Sequence, residues 1–171
     1  TVPMINTILK YGLISVVLIL LQILVLNNIQ FSGYVNPYVY IMIILILPSL
    51  TPSWLILLIA FFTGLVIDLF FGSPGMHASA TLIAGFARPF VLRIIAPRDG
   101  YDPGSSLSMA SYGFRWFVIY ATTIVLIHHT SLFFIEVFRF TDFFRTILRI
   151  ILSSIFTLAF ILLIEYYRKG R

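Results

Sequence analysis

Long apolar runs separated by short polar stretches fill the chain from end to end. A run of about 20 such residues is long enough to cross a bilayer core of about 30 Å as a helix. On this pattern the sequence predicts six spans, at about residues 6–26, 37–50, 53–71, 75–95, 112–130 and 142–167. Asn36-Pro37, Thr51-Pro52 and Ser73-Pro74 repeat one helix-start signal, a small capping side chain followed by a first-turn proline. The second run is the shortest, and Pro48 with Pro52 brackets the turn after it. The first run ends at Asn27-Asn28 without a small-residue cleavage site, so it reads as a span and not as a cleaved signal. Residues 132–140, aromatic with Glu136 and Arg139, suit an interfacial segment.

The polar stretch 96–111, with its Asp99-Gly100 and Asp102-Pro103-Gly104 turns, is too short to separate two domains. The expectation is one integral membrane domain over residues 1–171, all-α and polytopic. Composition supports the class: 60% of residues are hydrophobic, 10% are charged, and the mean hydropathy is +1.06. A soluble domain of this size lacks the interior to hide that much apolar surface.

The net charge of +5 changes the picture only through its placement. Lys10, Arg93, Arg98, Arg168, Lys169 and Arg171 fall near one face, against Arg139 and Arg145 near the other. The positive-inside rule then places both termini and the 96–111 loop in the cytoplasm, with Trp54 and Trp116 at that interface. Basic residues at the ends of apolar runs speak for lipid headgroups and not for nucleic acid. Cysteine is absent, which removes disulfides and thiolate metal sites.

The candidate chemistry lies in polar residues inside apolar sequence, which usually face protein or a cavity. Asp68, near the end of span three, and His77, at the start of span four, are expected neighbours across the Gly-Ser-Pro-Gly turn, where a carboxylate would favour the imidazolium. His77, Thr81, Ala84 and Arg88 recur at helical spacing on one stripe, with Ala80, Ala84 and Gly85 keeping it narrow. Arg88 lies about 15 Å from Asp68 along the membrane normal, beyond the reach of both side chains. The Gly85 carbonyl freed by Pro89 and Glu165 are its expected partners. Span six carries a second stripe, Asp142, Arg145, Thr146, Arg149, Ser153 and Thr157. Asp142 can pair with Arg145, which leaves Arg149 without a local acid. Lipid snorkelling and a covering protein surface are both open for this stripe.

Catalytic readings fail on inventory. Asp68 lacks the second carboxylate of an aspartyl dyad. No serine sits in a Gly-x-Ser context with a histidine at its depth, and no phosphate-binding glycine loop is present. His128 and His129 point about 100° apart on a helix, so they do not share a metal simply, and they are expected at the outer surface. The expectation is no enzymatic activity, no cofactor and no metal.

The six-span plan, the short second helix and the stretch GLVIDLFFGSPGMHASA, with Gly64, Asp68, the turn around Gly72 and Gly75 and the polar start at His77, resemble the rod shape-determining protein MreD family. INTILKYG and APRDGYDPG resemble one branch of it. The resemblance implies a multi-pass protein of the bacterial inner membrane, a non-enzymatic scaffold subunit of the cell-elongation, peptidoglycan-synthesising complex. Its implied partners are MreC, MreB, RodA and the class B penicillin-binding protein of RodA. That family is similar in fold to the S components of energy-coupling-factor transporters, so a vitamin-binding S component is the alternative. Span one, LISVVLILLQILVL, departs from the small-xxx-small face expected of an S component.

Overall fold

The computed structural model describes residues 2–28, 34–103, 105–137 and 143–169. Those residues are all-helical. The elements are α1 (Val2–Leu24), α2 (Met42–Ile46), α3 (Ser53–Phe71), α4 (Met76–Ile94), α5 (Met109–Tyr112), α6 (Phe114–Val137) and α7 (Phe143–Lys169). Single 3-10 turns follow α1 at Leu26–Asn28 and lead into α2 at Val39–Ile41. One end of the bundle carries the α3–α4 turn, here the hairpin end; the other carries residues 95–108, here the loop end.

Four of these stretches are long and apolar enough to cross a membrane: Leu9–Asn28, Ser53–Phe71, Phe114–Val137 and Phe143–Arg168. Large apolar side chains point outward on every long helix, among them Leu13, Phe62, Phe86, Phe144 and Leu163. In water such a surface would aggregate; in lipid it is the normal exterior of a membrane-embedded protein.

The expected second and fourth spans depart from the simple pattern, for different reasons. Residues 37–50 do not form a spanning helix. Only Val39–Ile46 is helical, about 12 Å of rise, and none of these residues is more than 1% exposed. A segment apolar on every side is a core element, and here α1, α3, α6 and α7 surround it. Pro48 follows its end; the chain before it is non-helical, and the chain after it turns at residues 48–51 before α3. The fourth run does form a 19-residue helix, α4, packed between α3 and α6. Its polar stripe keeps it outside the group of long apolar helices.

The interfacial segment expected over residues 132–140 is helix as far as Val137, and Leu132 and Phe133 are buried. Residues 138–140 lie outside the described residues. Gly113, at φ 84°, separates the one-turn α5 from α6.

Gly64 brings the backbones of α3 and α4 into contact. A Cβ there would fall 2.6 Å from the Ala78 nitrogen and 2.5 Å from the His77 carbonyl oxygen, backbone that cannot move aside. One turn pair away, Gly85 faces Ala60 and Ile56. Small residues at the crossing let two backbones approach within lipid, where no hydrophobic force pulls helices together. The turn itself needs glycine at Gly72 (φ 65°) and Gly75 (φ 84°).

Gly64→Ala is therefore expected to lower stability by about 1–3 kcal/mol through overpacking. Gly12→Ala, where a Cβ meets nothing within 4 Å, should leave stability unchanged or slightly raised. Thermal unfolding of both variants in detergent checks the contrast.

Candidate functional site

The non-helical chain that enters α2, and the Leu47 residue that leaves it, lie in the bundle interior, where water cannot satisfy their backbone groups. Side chains from the surrounding helices do so instead. At the hairpin end, Asn36 N–H donates to Ser153 Oγ at 3.0 Å and Tyr38 N–H to Thr157 Oγ1 at 3.0 Å. Gln22, fully buried in α1, bridges the same stretch: its Oε1 accepts from Val39 N–H at 2.8 Å and its Nε2 donates to the Pro37 carbonyl at 3.0 Å.

At the loop end the carbonyls that close α2 meet Arg88. Its Nη2 donates to the Leu47 carbonyl and, at 3.2 Å, to that of Pro48; its Nε donates to the Tyr120 hydroxyl at 2.9 Å. Tyr120 in turn donates to the Leu45 carbonyl at 3.3 Å. A cation at a helix C-terminus is favourable, because the unpaired carbonyls there carry partial negative charge. Neither expected partner of Arg88 is used. The Gly85 carbonyl is on its own helix, and Glu165 accepts from Met109 N–H at 3.1 Å and Arg168 Nη1 at 2.6 Å.

Asp68 holds the start of α4. Its Oδ1 accepts from His77 N–H and Ser73 O–H, and its Oδ2 from Ala78 N–H, each at 2.9 Å. The helix begins at Gly75, which has no capping side chain of its own, so a carboxylate from α3 does the capping. Asp68 and His77 are thus neighbours, but through the His77 backbone. The carboxylate–imidazole contact expected from the turn is absent, because the helix amides take both oxygens.

The His77 ring instead joins a buried chain with Tyr40, His128 and His129. Tyr40 Oη lies 3.0 Å from His77 Nδ1 and 2.7 Å from His128 Nε2; His128 Nδ1 and His129 Nδ1 are 3.4 Å apart. Thr81 Oγ1 donates to the His77 carbonyl at 2.7 Å beside them. The Val125 carbonyl, 2.9 Å from His129 Nδ1, only accepts, so that nitrogen carries a proton. On a neutral ring His129 Nε2 then accepts from Thr157 O–H at 3.1 Å. The Tyr40 hydroxyl lies between two ring nitrogens and donates to one of them. His77 Nε2 has no partner among the described residues, and His77 lines the cavity below.

That cavity, about 400 Å³, opens at the hairpin end and is lined by Asn36, Tyr38, Phe71, Met76, His77, Glu136 and Arg149, among others. Arg149 donates to Glu136 at 3.1 Å and lies over the Phe133 ring, 4.4 Å from its centroid. A second, wholly different groove of about 760 Å³ runs between α1 and α3, lined by apolar side chains with Tyr11 and Ser15.

The two histidines expected at the surface are fully buried, because α6 continues eight residues past His129. The span-six stripe is covered by protein along Thr146, Ser153 and Thr157, and the cover is the extended segment before α2 together with α6. Arg149 does have an acid, Glu136, supplied by the α6–α7 packing and not by its own helix. Arg145 lies exposed, 5.3 Å from the Tyr34 ring centroid. Asp142, and with it the Asp142–Arg145 pairing, lies outside the described residues. Sequence reading missed Gln22, Tyr38, Tyr40 and Tyr120. Gln22 alone had a signal, as an isolated amide in an apolar run.

Gln22 offers one donor and one acceptor to a carbonyl and an amide, a match that a carboxylate cannot make. Gln22→Glu is expected to cost at least as much stability as Gln22→Leu, about 1–3 kcal/mol, since it sets two oxygens against each other at Pro37. Asp68→Asn should also destabilise, because its amide NH2 faces the Ala78 N–H. Denaturation midpoints in detergent check both. No family model, curated protein or solved structure matches the chain.

Proposed function

We propose that the chain is a non-enzymatic scaffold subunit of the bacterial cell-elongation complex in the inner membrane, acting beside MreC, MreB, RodA and the class B penicillin-binding partner of RodA. The observation that carries this reading is the use made of the residues in the MreD-like stretch. Gly64 sets the α3–α4 crossing, Gly75 turns the chain, and Asp68 caps α4. The motif builds a rigid hairpin, which suits a protein that works by presenting fixed outer faces to other membrane helices.

The proposed topology has six crossings. The four long apolar helices, α2 with its non-helical flanks, and α4 each make one, so both termini share the cytoplasmic side. Arg93, Arg98, Arg115 and Arg168 at the loop end support that orientation. The alternative, a vitamin-binding S component, is weakened by the outward face of α1. Leu9, Leu13, Val16, Val17, Leu20 and Leu24 there are all large and exposed, where close coupling to a transporter helix calls for small residues.

Since the chain has no cysteine, single-cysteine labelling reads topology directly. A cysteine replacing Asp102 is expected to resist an impermeant maleimide in intact protoplasts, and one replacing Ser73 to react. The scaffold itself is tested by retrieving the tagged chain from native membranes, with co-recovery of MreC and RodA expected. Recovery of neither, from membranes in which both are present, removes the reading.

A further inference from the structure

We infer that the hairpin-end cavity is a binding site for a small carboxylate with an apolar body, a function beyond any scaffold role. Two side chains carry the argument. Tyr38 is 5% exposed and His77 is 3% exposed, and both border the cavity. The Tyr38 hydroxyl has no hydrogen-bond partner among the described residues, although its backbone N–H is bonded. His77 Nε2 has no partner among the described residues either, and in the tautomer in which Nδ1 accepts from Tyr40 it is a second donor.

The donor at this wall that is buried without any acceptor is Arg149 Nε, and such a group costs stability until a partner arrives. Tyr38 and His77 are held together, their ring centroids 5.1 Å apart at 69°. Arg149 is the third donor. Its Nη2 is 3.1 Å from Glu136, its Nε is buried without a partner, and Phe133 fixes the plane of the guanidinium.

Three donors, one of them charged, call for an oxyanion. Phe71 and Met76 form the apolar part of the wall, and about 400 Å³ is far more than an inorganic anion fills. The head group is therefore a carboxylate on a body the size of a substituted ring. Glu136, 40% exposed on its side chain, occupies Arg149 in the unliganded protein and competes with the incoming carboxylate.

The test uses the full chain in detergent micelles and radiolabelled benzoate in equilibrium dialysis, with empty micelles as the blank. Saturable uptake by the protein is expected. Tyr38→Phe should weaken it about tenfold, the loss of one hydrogen bond to a charged acceptor. The same variant should unfold at an unchanged or higher temperature, because the hydroxyl has no internal partner to lose. Glu136→Gln should tighten binding several-fold by releasing Arg149, the opposite of what a purely structural ion pair predicts. Uptake no greater than that of micelles overturns the inference. So do saturation by inorganic phosphate without saturation by benzoate, equal uptake by Tyr38→Phe, or weaker uptake by Glu136→Gln.

Discussion

A short helix buried in the middle of a membrane bundle leaves its flanking backbone without water, and the rest of this structure depends on how that backbone is satisfied. Val39–Ile46 is too short to cross a bilayer, so the chain must enter and leave it in non-helical conformation. Each unsatisfied amide or carbonyl there would cost several kcal/mol in hydrocarbon. Gln22, Ser153 and Thr157 take the entry side, and Arg88 with Tyr120 takes the exit. Those five residues come from α1, α4, α6 and α7. Satisfying one broken segment therefore fixes the relative positions of four long helices.

The α3–α4 hairpin solves the same problem at a helix terminus. The first amides of α4 point at Asp68, and the carboxylate accepts from two of them while holding the Ser73 hydroxyl of the turn. That capping is possible only because Gly64 lets the helices come together at Ala78. At the loop end Glu165 plays a related part for Met109, with Arg168 neutralising it. Both buried acids thus serve backbone amides of a neighbouring element.

Arg88 shows how a cation is kept inside without an acid. Its partners are two carbonyls at the end of α2 and a phenol, all dipoles oriented by the fold. Beneath it, Trp116 stacks on Tyr120 with centroids 5.2 Å apart and donates its N–H to the Ile95 carbonyl, so Tyr120 is held against movement. The hairpin-end cavity is different. There polar side chains converge without all being satisfied, Arg149 Nε among them.

Class and periodicity were legible in the chain itself. Long apolar runs dictate membrane helices whatever their neighbours, and the spacing of His77, Thr81, Ala84 and Arg88 dictates one face of α4, because both follow from local geometry. The place where that helix starts was legible to within a residue, but not its cap: Ser73 bonds to Asp68, and that carboxylate, not Ser73, holds the first amides. Partners were not legible. Arg88 to Leu47 and Ser153 to Asn36 join residues far apart in sequence, and nothing local distinguishes the carbonyl or amide that each one meets. The burial of His128 and His129 depended on α6 running past them as far as Val137 and on contacts to Tyr40 and Thr157, which no local signal marks. Whether residues 37–50 would span or be enclosed was likewise decided only in three dimensions. An apolar segment accepts lipid or protein equally, and the surrounding helices left it only protein.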